Sequence, residues 1–240
     1  MENLIKAFDE IKQKNLSIDL TRGKPHTDQL DLSNDLITQS VDPIGENGVD
    51  LRNYGEPVGI IEARKLGADI LDSKVELTIA GEQSSYLLMS QLLLGRSLFG
   101  IDNDPWKDDS ESAFLCAVPG FDRHFATLEG LGLQMHTVNL CSSGIDLDDL
   151  NQKLSKYPNI KGLICVPRHS NPSGEVFSDE NIINLLKTTK EYNPNFINLF
   201  DHAYLIHDFD ETQTQTPIPI LADSLNAVSY THLRAHETHE

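Results

Sequence analysis

The sequence predicts an α/β fold, a three-layer sandwich around a mostly parallel sheet. Three observations carry that prediction. From residue 75 onward, apolar strand-like runs alternate with helix-like runs, a rhythm that places helices on both faces of a parallel sheet. Gly81, Gly120, Asn171 and Asp201 each fall just after a strand-like run, at the carboxyl ends where such sheets gather their ligands. Ser178 stands immediately before Asp179 and Glu180, a helix start with its N-cap and first-turn acids in place.

Each element has its reason. Residues 1–14 place Leu4, Ile5, Phe8 and Ile11 at helical spacing. Residues 20–25 read as extended chain. Residues 42–55 are rich in Gly, Asn and Asp and read as loop. Residues 57–71 are helix-like, with Ile60, Ile61, Ala63, Leu66, Gly67 and Ile70 near one side. The strand-like runs are 75–80, 113–118, 134–140, 162–166 and 196–200. The helix-like runs between them are 84–98, 124–131, 147–154 and 179–190. The expected organisation is an N-terminal segment (1–50), a large domain (51–227) and a tail (228–240).

Composition narrows the function classes. The chain has 240 residues, is 39% hydrophobic and 23% charged, and so can bury a sizeable core. Its formal net charge is −18, from 37 acids against 19 bases. Such a surface repels nucleic acid and anionic lipid, and neither is expected as a partner. No basic n-region with an apolar core opens the chain, and no apolar run is long enough to cross a bilayer. Cys116, Cys141 and Cys165 form no C-x-x-C pair. Cys116 and Cys165 sit in apolar runs as small core residues, and a reducing cytoplasm fits them. His232, His236 and His239 are spaced to share a helix face, but no carboxylate or cysteine set closes a zinc site there, so no native metal is expected.

The chemistry-bearing residues are Asn171-Pro172-Ser173-Gly174, after the run at 162–167, and Asp201-His202-Ala203-Tyr204, after the run at 196–200. They deliver an amide, a carboxylate and a phenol to one sheet edge. Taken alone, Asn-Pro-Ser-Gly is a plain turn, Asp201 a helix cap or solvated loop acid, Tyr204 half-buried packing, Phe121 a core residue, Ser84 a helix start and Tyr54 part of a loop. Their common order in one chain is what gives them weight.

That order is joined by Leu20-Thr21-Arg22-Gly23-Lys24-Pro25, Arg52-Asn53-Tyr54-Gly55, Gly81-Glu82-Gln83-Ser84-Ser85 and Pro119-Gly120-Phe121-Asp122-Arg123-His124. The whole resembles the fold type I pyridoxal-phosphate enzymes over most of residues 20–222. Within them it is similar to the aspartate aminotransferase subgroup that carries L-T-R-G-K-P and P-G-Y-D-R-H-F. The resemblance implies pyridoxal 5′-phosphate as cofactor, an amino acid and a 2-oxo acid as substrates, and a cytoplasmic homodimer. It implies that Asp201 faces the ring nitrogen, where an opposite charge favours the protonated form. Asn171 and Tyr204 then donate to the ring oxygen, and Phe121 stacks on the ring where the subgroup has tyrosine. Backbone N–H groups of Glu82, Gln83 and Ser84 cradle the phosphate at a helix start, with the Glu82 side chain turned away. Tyr54 reaches the phosphate of a neighbouring subunit, and the Gly23 backbone meets the substrate carboxylate. Arg123 and His124 receive no role.

The resemblance also implies a lysine a few dozen residues after Asp201 that holds the cofactor covalently and moves protons. The 240-residue sequence has no lysine after Lys190. Lys187 and Lys190 lie before Asp201, on the wrong segment. The expectation is therefore a chain without its catalytic lysine, without a C-terminal small domain and without the last strand or strands of the sheet, and inactive by itself. Residues 228–240 resemble translated adapter DNA, which would end the natural sequence near Ala227. The intact parent is expected to pass an amino group from aspartate or a related amino acid to 2-oxoglutarate. A lyase or decarboxylase of the same fold, and a non-catalytic binding module, share the residues named so far.

Overall fold

The structure is a computed structural model that describes residues 2–18, 23–82, 84–100, 104–209, 215–225, 227 and 229–232, with residues 2 and 229–232 described in backbone only. The chain divides into two compact units, Met1–Pro43 and Ile44–Glu240. Among its described residues the first holds three helices, α1 (Glu2–Gln13), α2 (Thr27–Asp31) and α3 (Asn34–Ile37). The apolar stripe read from the sequence, Leu4, Ile5, Phe8 and Ile11, lies on α1 and is exposed. The sequence reading missed α2 and α3. A capping box opens α2: His26 Nδ1 accepts from the Asp28 N–H, and the Gln29 side chain accepts from the His26 N–H at 2.8 Å.

The second unit begins with α4 (Ile61–Leu71) and continues through α5 (Ser85–Phe99), β1 (Ala113–Val118), α6 (Asp122–Gly130), β2 (Gln134–Cys141), β3 (Gly144–Ile145), α7 (Leu147–Lys156), β4 (Ile160–Cys165), α8 (Asp179–Tyr192), β5 (Ile197–Asp201), α9 (Ile218–Leu225) and β6 (Ser229–His232). Single 3-10 turns lie at Val75–Leu77 and Trp106–Asp108. The strands form one six-stranded sheet in the order β3-β2-β1-β4-β5-β6. Every pairing is parallel except β2 with β3. The predicted α/β sandwich with a mostly parallel sheet is the observed architecture.

Strands β1, β4 and β5 are buried on both faces, and their residues alternate between the two. Ala113, Leu115, Ala117, Leu163, Cys165 and Phe200 join Leu150, Leu154, Ile182, Leu185, Leu186 and Leu221 from α7, α8 and α9 in one core. Phe114, Cys116, Ile164, Ile197 and Leu199 join Met89, Leu93 and Leu128 from α5 and α6 in the other. Gly162 lets β4 sit close to its neighbours: a Cβ there would stand 2.5 Å from the Ile197 carbonyl oxygen and from Phe114 Cζ. Helix α8 starts as read, with Ser178 Oγ accepting from the Asn181 N–H at 3.2 Å.

Some expectations fail. Residues 75–80 are not a strand of the sheet. The Arg64 guanidinium donates to the Val75 and Thr78 carbonyls at 2.7 and 2.8 Å, and the Ala80 N–H donates to the Val58 carbonyl, so this apolar run is held by α4 rather than by a strand neighbour. The helix expected from residue 57 begins at Ile61, because Gly59 adopts φ +88° and its N–H closes a turn onto the Glu56 carbonyl. The short elements β3 and α9 were not read. The segment read as a tail begins with β6, which pairs with β5 from Asn198–Ser229 to Asp201–His232. His232 therefore lies on a strand rather than a helix; His236 and His239 lie outside the described residues.

Candidate active site

Strands β1, β4 and β5 are neighbours and run the same way, so the turns after them leave from one sheet edge. The turn after β1 needs Gly120, where a Cβ would stand 2.4 Å from the Ala117 carbonyl oxygen and 2.8 Å from Phe125 Cζ. Phe121 then caps the start of α6 in extended conformation, which sets His124 in the first turn of that helix. His124 Nε2 lies 2.9 Å from Asp201 Oδ2, and the two side chains are only 4% and 6% exposed. Asp201 Oδ1 accepts the Ala203 N–H at 3.0 Å. The Phe121 ring meets the His124 ring edge to face, with centroids 5.2 Å apart. A residue to which the sequence gave no role thus holds the carboxylate at the end of β5. Its partner is distant in sequence, so the only available signal was its place in the Pro119–Phe125 motif.

Asn171 and Tyr204 also come together. The Asn171 side-chain amide donates to the Tyr204 hydroxyl oxygen at 3.4 Å, from the turn after β4 to the turn after β5. Two further residues of these turns were not read from the sequence. Arg168 is buried and pairs with Asp208 through both nitrogens of its fork, Nε to Oδ1 at 2.9 Å and Nη2 to Oδ2. His169 Nε2 lies 2.8 Å from the same Oδ1. The Arg168 guanidinium, and then His169, hold the Asp208 carboxyl below the usual carboxylate range against the opposing effect of burial.

The remaining candidates are placed separately. Ser84 is the N-cap position of α5 in extended conformation. Glu82 has φ +56°, and its Oε1 accepts from the Gln91 amide at 3.0 Å. Gln83 lies outside the described residues. Tyr54 is 97% exposed. It borders a small cavity of about 30 Å³ with Asn47, Asp50, Glu56 and Ile60, which none of Phe121, Asn171, Asp201 or Tyr204 lines. Gly23 belongs to the first unit and is exposed.

The thiols fit their places. Burial pushes the Cys116 thiol up to about 12. Cys165, at the end of β4, is pushed higher still by burial and then by the negative charge of Asp201. Neither is poised to be a nucleophile. Chemically, the edge offers a buried carboxylate backed by an imidazole, and an amide and phenol in contact. Such a set can hold a protonated ring nitrogen and an anionic oxygen. Among the described residues no helix is long and apolar enough to cross a membrane.

Comparison with known proteins agrees with this architecture. Residues 1–229 match the family described as aspartate amino-transferase. An aspartate aminotransferase of Corynebacterium glutamicum is 37% identical over 211 residues, which are 86% of this chain and 48% of that protein. The crystal structure of an aspartate transaminase from the same species superposes with a TM-score of 0.86 at 32% identity, covering 97% of this chain and 56% of the other. An α-aminoadipate aminotransferase from Thermus thermophilus, solved with N-(5′-phosphopyridoxyl)-L-leucine, shares the fold at 20% identity and a TM-score of 0.60, over 76% of this chain and 43% of the other. The chain spans about half the length of the relatives it matches. With its sheet, its motif order and these similarities in one chain, it belongs to the aspartate aminotransferase family.

Proposed function

We propose that this chain is the cofactor-holding part of a pyridoxal-phosphate-dependent aminotransferase whose intact form passes an amino group from aspartate, or a related amino acid, to 2-oxoglutarate. The observation that carries the reading is Asp201, buried at the carboxyl end of β5 and held by His124, beside a turn that brings Tyr204 to Asn171. When bound, pyridoxal phosphate supplies an electron sink. The residues fit it. Asp201 holds a proton at the ring nitrogen, as a carboxylate in a dry site does, and His124 fixes the orientation of that carboxylate. Asn171 and Tyr204 donate to the ring oxygen. Phe121 covers one ring face. The N–H groups of Glu82, Gln83 and Ser84 at the start of α5 receive the phosphate, with the Glu82 side chain engaged by Gln91. Tyr54 serves the neighbouring subunit of a homodimer, and Gly23 meets the substrate carboxylate. The corynebacterial relative's name supports aspartate as substrate, and the phosphopyridoxyl group of the Thermus structure supports the cofactor.

The 240-residue sequence has no lysine after Lys190, so the chain by itself is expected to bind pyridoxal phosphate only weakly and to transfer no amino group. Purified chain incubated with the cofactor and then borohydride should carry no stable label at any single lysine and should show no transamination. Single-lysine labelling with turnover contradicts this. For the intact gene product, glutamate formed from aspartate and 2-oxoglutarate is the expected result, and its absence contradicts the proposed reaction.

A further inference from the structure

We infer that Asp208 is a positioning residue: through Arg168 and His169 it clamps the turn after β4 to the turn after β5 and sets the contact between Asn171 and Tyr204. The importance of that contact rests on the cofactor reading above. The clamp itself rests on geometry.

Each turn is closed internally. In the first, the Ser170 N–H donates to the Glu175 carbonyl at 2.9 Å, the Gly174 N–H to the Ser170 carbonyl at 2.5 Å and the Phe177 N–H to the Pro167 carbonyl at 2.9 Å. In the second, the Leu205 N–H donates to the His202 carbonyl and the His207 N–H to the Tyr204 carbonyl, at 3.2 and 3.1 Å, and the Tyr204 and His207 rings meet edge to face. Each turn therefore moves as a piece, and their mutual register needs a separate link. The Asn171–Tyr204 hydrogen bond, at 3.4 Å, is too long to impose it. Asp208 supplies it. Its carboxylate receives both arms of the Arg168 fork and the His169 ring, and a bidentate guanidinium–carboxylate pair is both strong and directional.

Position and burial point the same way. Arg168 precedes Asn171 on one turn, and Asp208 follows Tyr204 on the other. The Arg168 side chain is 8% exposed and that of Asp208 30%. A guanidinium so buried is stable there only when paired. His169 adopts φ +52°, a left-handed backbone that turns its ring to the same carboxylate. Neither Arg168 nor Asp208 is assigned to the ring, the phosphate or the substrate, so the pair acts through Asn171 and Tyr204.

The test uses the isotope-labelled 240-residue chain and its Asp208→Asn, Asp208→Glu and Arg168→Lys variants. Two readouts are followed: amide hydrogen exchange over residues 168–175 and 204–208, and the side-chain amide resonance of Asn171. Asp208→Asn should speed exchange in both turns by about tenfold, the loss of one charge-assisted bond, and should shift the Asn171 resonance while the sheet keeps its protection. Arg168→Lys should do the same, because an ammonium cannot reproduce the fork, and Asp208→Glu should restore part of the parent behaviour. Parent-like exchange and an unmoved Asn171 resonance in Asp208→Asn and Arg168→Lys would overturn the clamp. Pyridoxal phosphate added to the parent chain separates the two claims. If it leaves Asn171 and Tyr204 unperturbed, the cofactor reading fails while the clamp is judged on the variants alone.

Discussion

At the scale of residues, the site depends on a buried pair whose members are distant in sequence. His124 and Asp201 are almost wholly inaccessible, so each is the other's replacement for water. His124→Ala would leave a buried carboxylate short of a partner, and such losses cost about 2–4 kcal/mol. Urea denaturation should show that loss, with His124→Asn recovering part of it through its amide. The sequence marked Asn171, Asp201 and Tyr204 as candidates, because each follows a strand-like run in a short motif. It left His124 silent. A histidine in the first turn of an amphipathic helix is indistinguishable locally from a packing residue, and only the three-dimensional neighbour reveals its task. Arg168 and Asp208 were silent for the same reason: a lone arginine and a lone aspartate in two loops carry no spacing that announces a pair.

Among elements, legibility followed the source of the order. Strand β1 was read with its observed ends and α8 within two residues of them, since a continuous apolar run and a serine cap are local signals. Residues 75–80 have the same apolar look as a strand, but Arg64 takes two of their carbonyls, a tertiary event with no local mark. Packing predicts the contrast between elements. Leu163 on β4 is fully buried and Leu32, after α2, is 86% exposed. Leu163→Ala should therefore cost about 2–5 kcal/mol, against about 0.5 or less for Leu32→Ala, read from urea midpoints. The clamp between the β4 and β5 turns adds a pH dependence. The Asp208 carboxyl is held below its ordinary range by Arg168 and then His169. A lowered folded value stabilises the fold above the unfolded value and is lost as pH falls through the folded one. The stability difference between the parent and Asp208→Asn should thus be full above about pH 5 and shrink as pH drops below about 4.

For the whole molecule, one mostly parallel sheet with its central strands buried on both faces explains why so acidic a chain folds around its core and why Asn171, Asp201 and Tyr204 come to one edge. Charge and composition led to the expectation of a globular chain without a nucleic-acid partner; they could not indicate what ligand the edge would suit. The family supplies that expectation, and the chain covers about half the length of its relatives, so the edge is best tested for binding rather than for turnover. The most direct measurement is a crystal structure of the 240-residue chain grown with excess pyridoxal phosphate. The ring nitrogen is expected within hydrogen-bonding distance of the Asp201 carboxylate, the ring oxygen facing Asn171 and Tyr204, and the phosphate at the start of α5. A cofactor bound away from Asp201, or an edge that stays without it at saturating concentration, would contradict the role proposed for Asp201.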